Sequence, residues 1–411
     1  MSTVSSSQRR RAAVMGAVVA DAAALGLHWI YTQPRIRRAA PEHPEFRDPD
    51  PKNYEGVPAF FAHPHKSAGD STMYGENIAV LLRAMAGRDG EYDDGAFLSE
   101  YQTHFGPGGL YVGYADGPMR GTLYNAQSMT REIEGHALDL PLPGVSDETR
   151  RMIAHYVARY FLEYDTEALK RTVREAVGMH DGITDDDLAA CDTVVDAMQK
   201  HRRPTGPDDA QMPAVTRVAV MVARYAGSGS TEETDELMRR LENAVRMTNN
   251  NDEAVAYAKG LARLLVRVTS EDGAAALGGP DPDAPVDQGA LVAVMRETFA
   301  DLPDDRRADV EKALGMLGQD TKAVTLTFGP ACDCAMGVPS ALHNVAKAAS
   351  FTDAVRTNIY ACGDSCGRAM VVGPLAGALY GTGGERGIPE EWVERTGLAA
   401  EVNELIEKVA R

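Results

Sequence analysis

Aromatic side chains are scarce in this chain of 411 residues: Phe, Trp and Tyr make up 6% of it, while apolar residues as a whole reach 44%. A core with so few rings is built from Ala, Val, Leu and Met, a palette that favours helices over sheets. Basic residues are also short: 42 Lys and Arg face 60 Asp and Glu, for a formal net charge of −18. No basic face large enough to hold a phosphate backbone is expected against that background, which argues against a nucleic-acid partner. Five cysteines, an odd number in a long chain, make no disulfide framework and point to a reducing, cytoplasmic setting. Long apolar runs are missing too. None approaches the ~20 residues of a membrane span, so no membrane partner is expected. The stretch QRRRAAVMGAVVADAAALGLHW (8–29) imitates a secretory leader, but Asp21 interrupts its apolar run and no small-residue cleavage site follows.

Helical periodicity dominates what is present. Apolar residues recur at helical spacing over 12–27, 77–86, 148–164, 184–199, 214–225, 231–247, 252–267, 288–299 and 304–317. Strand-like runs are few, and VTLTF (324–328) is the clearest. Pro and Gly mark irregular segments at 41–58, in FGPGGLYVGYADGPMRG (105–121), and in an acidic loop near 270–290 that contains GGPDPDAPVDQG (278–289). With no clear linker and no internal repeat, the expectation from pattern alone is an all-α chain. Gly373, Gly377 and Gly381, four residues apart, let a neighbouring helix approach closely, while Pro374 between them is expected to kink or restart its helix.

Several blocks, in order, resemble the ADP-ribosylglycohydrolase superfamily. GAVVADAAALGLHW (16–29) is similar to its N-terminal Gly-Ala-x-x-Gly-Asp-Ala-x-Gly helix, with Asp21 on the aspartate. AGDSTMYGENIAVLL (68–82) falls where the family has Thr-Asp-Asp-Thr before an apolar helix. MPAVTRVAV (212–220) puts Arg217 on the family's arginine, and MTNNNDEAVAYAKGLA (247–262) puts Asn249 where the family has histidine. The segment 337–381 parallels the Gly-Gly-Asp-Thr-Asp-Thr block and its flanking helices. Within the superfamily, ALGLHWIYTQPRI and AGDSTMYGE most resemble the divergent branch of J-crystallins and selenoprotein J, whose members keep the fold while altering the catalytic motifs.

The resemblance implies one domain over 1–411, a compact multi-helix bundle with helices crossing at large angles. It also implies hydrolysis of an ADP-ribose-like or other glycosidic substrate, a small-molecule partner, and two Mg²⁺ ions held by clustered carboxylates. Matched residue by residue, the first acidic block becomes Ser71, Thr72 and Met73, and the second becomes Asp364, Ser365, Cys366 and Gly367. Only Asp364 keeps a carboxylate, with Ser71 the other residue left for a metal, so the dinuclear magnesium site is expected to be lost. Asp70, one residue out of register, and Glu76, one turn on, are the acids available to restore a single site. Sulfur offers two further readings. Cys332, Cys334, Cys362 and Cys366 can hold Zn²⁺ if the fold gathers them. Alternatively, Cys366 at a helix N-terminus, with Arg368 two residues on, can act as a nucleophilic or redox thiol.

The catalytic candidates are thus Asp364, Cys366, Ser71, Asp70 and His28, the last a base near neutral pH. For substrate binding they are Tyr111 and Tyr114, which can stack on a planar base, Arg120, which can pair with a phosphate, and Arg217, Asn249 and Ser365 from the matched blocks. His63 and His65 of HPHK (63–66) are candidate metal ligands. Three functions stay open: a glycohydrolase-type enzyme with an altered centre, a thiol-dependent enzyme on the same scaffold, and a catalytically inactive crystallin-like or binding relative.

Overall fold

A computed structural model describes residues 4–227, 230–278 and 285–410 of the chain. It contains twenty α-helices among the described residues, and extended backbone pairs only as isolated bridges. The all-α expectation therefore holds. Each helix read from periodicity is present: 12–27 lies in Ser6–Ala24 plus a 3-10 turn at Leu25–Leu27, and 77–86 lies in Met73–Ala86.

The strand-like run at 324–328 is a helix instead, Thr321–Phe328. Its β-branched residues favour a strand only where a sheet exists to pack on. Here Asp320 caps the N-terminus through the Lys322 amide, and Thr321, Val324 and Thr325 bury one helical face. Two loops are also shorter than expected. The glycine-rich segment becomes helix at Gly117, and the acidic segment is bounded by the helices Glu271–Ala276 and Gln288–Thr298, with residues 279–284 outside the described part.

Two helices form the axis of the larger core. Ser6–Ala24 begins with a capping box in which Ser5 and Gln8 bond each other's backbone. It is buried on nearly every side from Ala12 onward, as an all-round apolar helix must be. Its partner is Ser365–Tyr380, and the glycine spacing explains the contact. A Cβ on Gly16 would stand 2.3 Å from the Gly373 carbonyl oxygen, and one on Gly377 would stand 2.2 Å from that of Ala12. The two backbones touch where no side chain fits. Pro374 lies inside Ser365–Tyr380, which runs as one helix and stops at Gly381 with φ of 72°.

A second, smaller apolar cluster joins Ile133, Ile153, Val157, Val173 and Val194, from the four consecutive helices between Gly117 and Met198. No helix among the described residues is long and apolar enough to cross a membrane.

Candidate active site

The site forms where the start of Ser365–Tyr380 meets the end of Ser6–Ala24 and the start of Met73–Ala86. Asp364 is the N-cap of the first of these and accepts from the Gly367 amide at 2.9 Å. The chain reaches it through two consecutive left-handed residues, Cys362 and Gly363, with φ of 71° and 65°. Gly363 then bridges to the strip after the 3-10 turn, donating to the Ile30 carbonyl and accepting from the Trp29 amide. Trp29 is itself left-handed, with φ of 61°, a conformation rare for a bulky residue and often found at functional sites.

These turns bring His28 onto Asp364, with Nε2 lying 2.8 Å from Oδ1. The other ring nitrogen, Nδ1, lies 2.8 Å from His63 Nε2. On the far side of Asp364, the Tyr74 hydroxyl donates to Oδ2 at 2.8 Å. A carboxylate only accepts, so with both imidazoles neutral the network assigns the tautomers. His28 donates from Nε2 to Asp364 and accepts at Nδ1 from His63 Nε2–H. The chain ends at His63 Nδ1, which is buried and has no partner. All four side chains are essentially inaccessible, His63 being 1% exposed.

Burial alone would raise the Asp364 pKa, but the hydrogen bonds from His28, the Gly367 amide and Tyr74 outweigh it and hold the carboxyl below its usual range. Burial above all pushes His63 well below the ordinary imidazole value, so it is neutral at physiological pH. Trp29 covers the pair, 4.3 Å from the His28 ring and 6.3 Å from that of His63. Tyr114 and Phe60 pack against Trp29 in turn. A cleft of about 730 Å³ lined by Arg224, Thr231 and Arg239 shares none of these residues; the network is a covered core.

Ser71 and Asp364 do lie in one region. Ser71 is 2% exposed, and its hydroxyl has no partner. It stands 3.1 Å from where a Cβ on Gly75 would be, one residue beyond the tyrosine that bonds Asp364. Asp21 completes this corner by accepting from the Thr72 amide, the Thr72 hydroxyl and the Gly75 amide at 2.8, 2.6 and 3.2 Å. It thereby joins the N-terminal helix to Met73–Ala86, and Gly75 is required because a Cβ there would meet Asp21 Oδ2 at 2.6 Å.

The donor set does not fit magnesium. Both oxygens of Asp364 and both of Asp21 already accept protein hydrogen bonds, and Thr72 gives its hydroxyl to Asp21. Asp70 accepts from the Ser67 amide within its own turn, while Glu76 bonds His104 Nε2 at 2.9 Å. Zinc fits no better. Among the described residues no three His, Cys, Asp or Glu side chains converge here, and the four thiols expected to gather form no such group. Cys366 lies 3.6 Å from the Asp21 carbonyl oxygen, and Cys332 donates to Gln211 Oε1 at 3.1 Å.

The thiolate reading also meets an obstacle. Cys366 sits in the first turn of its helix, but complete burial, then Asp21 and Asp364, push its thiol well above the ordinary value. Arg368 is turned away onto Asn358 and the Cys362 carbonyl.

The expected substrate-binding residues divide into two groups. Arg217 is 1% exposed and serves the core, bonding Pro213, Thr216 and Asn77 and stacking over Phe97. Asn249 is buried and donates to the Asp209 carbonyl at 3.2 Å. Ser365 is buried with an unpartnered hydroxyl next to Asp364. Tyr111 and Tyr114 line the edge of the site, with the Tyr111 hydroxyl on the Tyr114 carbonyl at 3.1 Å, and Arg120 is exposed and bonded to the Ala115 carbonyl.

Sequence reasoning gave no role to Tyr74 or Asp116, and it saw His63 only as a metal ligand. Asp116 caps Gly117–Asp139 by accepting from the Met119 amide at 2.7 Å; its other oxygen is buried and unpartnered. Burial pushes its pKa up to about 6. The signal available was the Asp-Gly-Pro start of a helix. Nothing in the sequence marked Tyr74.

A family model described as ADP-ribosylglycohydrolase matches residues 2–411. Two crystallins of Tripedalia cystophora are similar over their whole length: crystallin J1A is 26% identical and J1B 24% identical, each over 100% of this chain and 99% of the relative. A solved structure described as an ADP-ribosylglycohydrolase-related protein complex superposes with a TM-score of 0.55 at 20% identity, covering 98% of this chain and 97% of the other, and so shares the fold.

Proposed function

Because this chain belongs to the ADP-ribosylglycohydrolase family, we propose that it hydrolyses a glycosidic bond of an ADP-ribose-like substrate at a metal-independent centre built on Asp364, His28 and His63. The observation that carries this reading is the unbroken chain of two 2.8 Å contacts that ends on an unpartnered nitrogen, His63 Nδ1. That nitrogen takes a proton from water as the water oxygen bonds to the anomeric carbon. The glycosidic bond breaks, and its electron pair leaves on the departing atom. Asp364, held ionised, orients His28 and stabilises positive charge that develops along the relay. Asp116 supplies the second carboxyl. With its pKa pushed up to about 6, part of it remains protonated near neutral pH and can protonate the departing atom. Tyr74 and Cys332 feel the charge of both carboxylates, which supports their lying near one another. Water and substrate reach His63 when the Trp29–Tyr114 contact opens.

The test is steady-state hydrolysis of an ADP-ribosylated peptide by wild type and His63→Gln. The reading expects kcat to fall on the order of 10²–10⁴-fold with the melting temperature retained. Unchanged kcat in the variant would remove His63 from the mechanism.

A second reading, a non-catalytic binding protein, is supported by the internal satisfaction of Asp21 and Asp364 and by the two crystallin relatives. It expects no turnover in the same assay, with or without the substitution.

A further inference from the structure

Away from this centre, the smaller apolar cluster carries a group of side chains that the relay does not use. Glu132 and His136 lie one turn apart on Gly117–Asp139, with Glu132 Oε1 and His136 Nε2 separated by 3.8 Å. His201 ends the 3-10 turn Gln199–His201 that follows the helix Asp185–Met198. Its ring lies against that of His136, centroids 4.2 Å apart and planes within 14°. One ligand atom from each of the three lies within 4.8 Å of the other two, the only such His/Cys/Asp/Glu trio among the described residues. We propose that Glu132, His136 and His201 form a binding site for a divalent transition metal ion of the zinc type.

The chemistry of the donors sets the class of ion. Two imidazoles and one carboxylate suit zinc, cobalt or nickel and are a poor match for magnesium or calcium, which take oxygen. Metal–ligand bonds of ~2.0–2.2 Å need ligand atoms roughly 3.3 Å apart in a tetrahedral site. The trio must therefore close by about 1.5 Å at most, which side-chain rotation on a half-exposed surface supplies.

Arg203 helps rather than blocks. It holds Glu132 Oε2 at 2.6 Å and reaches Oε1 only at 3.3 Å, so the oxygen facing His136 is the more weakly engaged one. A metal on Oε1 leaves Arg203 on Oε2, where it orients the carboxylate as outer partners of metal ligands do. Three protein ligands leave the remaining coordination positions to water. The bound ion would also tie Gly117–Asp139 to the turn after Asp185–Met198, closing the surface of the smaller cluster.

The test is calorimetric titration of the untagged, EDTA-stripped full chain with zinc chloride in a non-chelating buffer, alongside thermal melts. One saturable site and a raised melting temperature are expected in wild type. His136→Ala, at an exposed position, and His201→Gln should each weaken zinc binding by about tenfold or more. Absence of saturable binding up to millimolar zinc overturns the site, as does binding that neither substitution changes.

Discussion

At the scale of single residues, environment decides what each ionisable group can do. Cys366 shows this most simply. A helix N-terminus favours a thiolate, but that effect is worth ~1 kcal/mol and is overridden once the sulfur is cut off from water beside two carboxylates. In the native protein an alkylating reagent should modify Cys332, which is half-buried, well before Cys366, as peptide mapping after a short pulse will show. Rapid labelling of Cys366 would restore the thiol mechanism.

Asp116 has the opposite consequence for stability to that of Asp364. The folded protein keeps the Asp116 proton to about pH 6, against 3.8 for an unperturbed carboxyl. Between those values the native state binds more protons than the unfolded one, so stability falls as pH rises through the window, by about 3 kcal/mol. Asp116→Asn keeps the cap and removes the titration. Its melting temperature should therefore decline less between pH 4 and pH 6 than that of wild type, and an unchanged slope would contradict the assignment. Asp364, held low, contributes in the other sense: its stabilisation is present above the ordinary carboxyl range and is lost as the solution is acidified.

At the scale of elements, the contact between Ser6–Ala24 and Ser365–Tyr380 positions everything else, because His28 follows the end of one and Asp364 caps the start of the other. Gly16→Ala and Gly377→Ala would each force a methyl group against a carbonyl oxygen of the facing helix. Each should destabilise by about 1–3 kcal/mol or more, read as a lower urea midpoint with unchanged slope. Substitution at Gly135, which has open space around it, should change little by comparison. These helices were legible in the sequence because small residues at regular spacing leave a pattern in one chain. The Thr321–Phe328 helix was not: eight residues with three Thr and a Val satisfy either period, and the choice was made by a cap and by the surface the segment lies on.

At the scale of the whole molecule, the family and the all-α fold could be read from ordered blocks, whereas the centre could not. The resemblance led to the expectation of few carboxylates near Ser71 and Asp364; it gave no sign of what surrounds Asp364. Those surroundings come from His28, His63 and Tyr74, spread over three segments that only the fold joins, and no spacing rule links position 63 to position 364. In the reading proposed above, the closed hydrogen-bond network around Asp364 takes the place that metal-ligating carboxylates would otherwise fill. The most direct measurement is the rate of hydrolysis of an ADP-ribosylated peptide by protein stripped with EDTA, before and after magnesium is restored. A centre of this kind predicts the same rate in both conditions, and a rate that vanishes in chelator and returns with magnesium would contradict it.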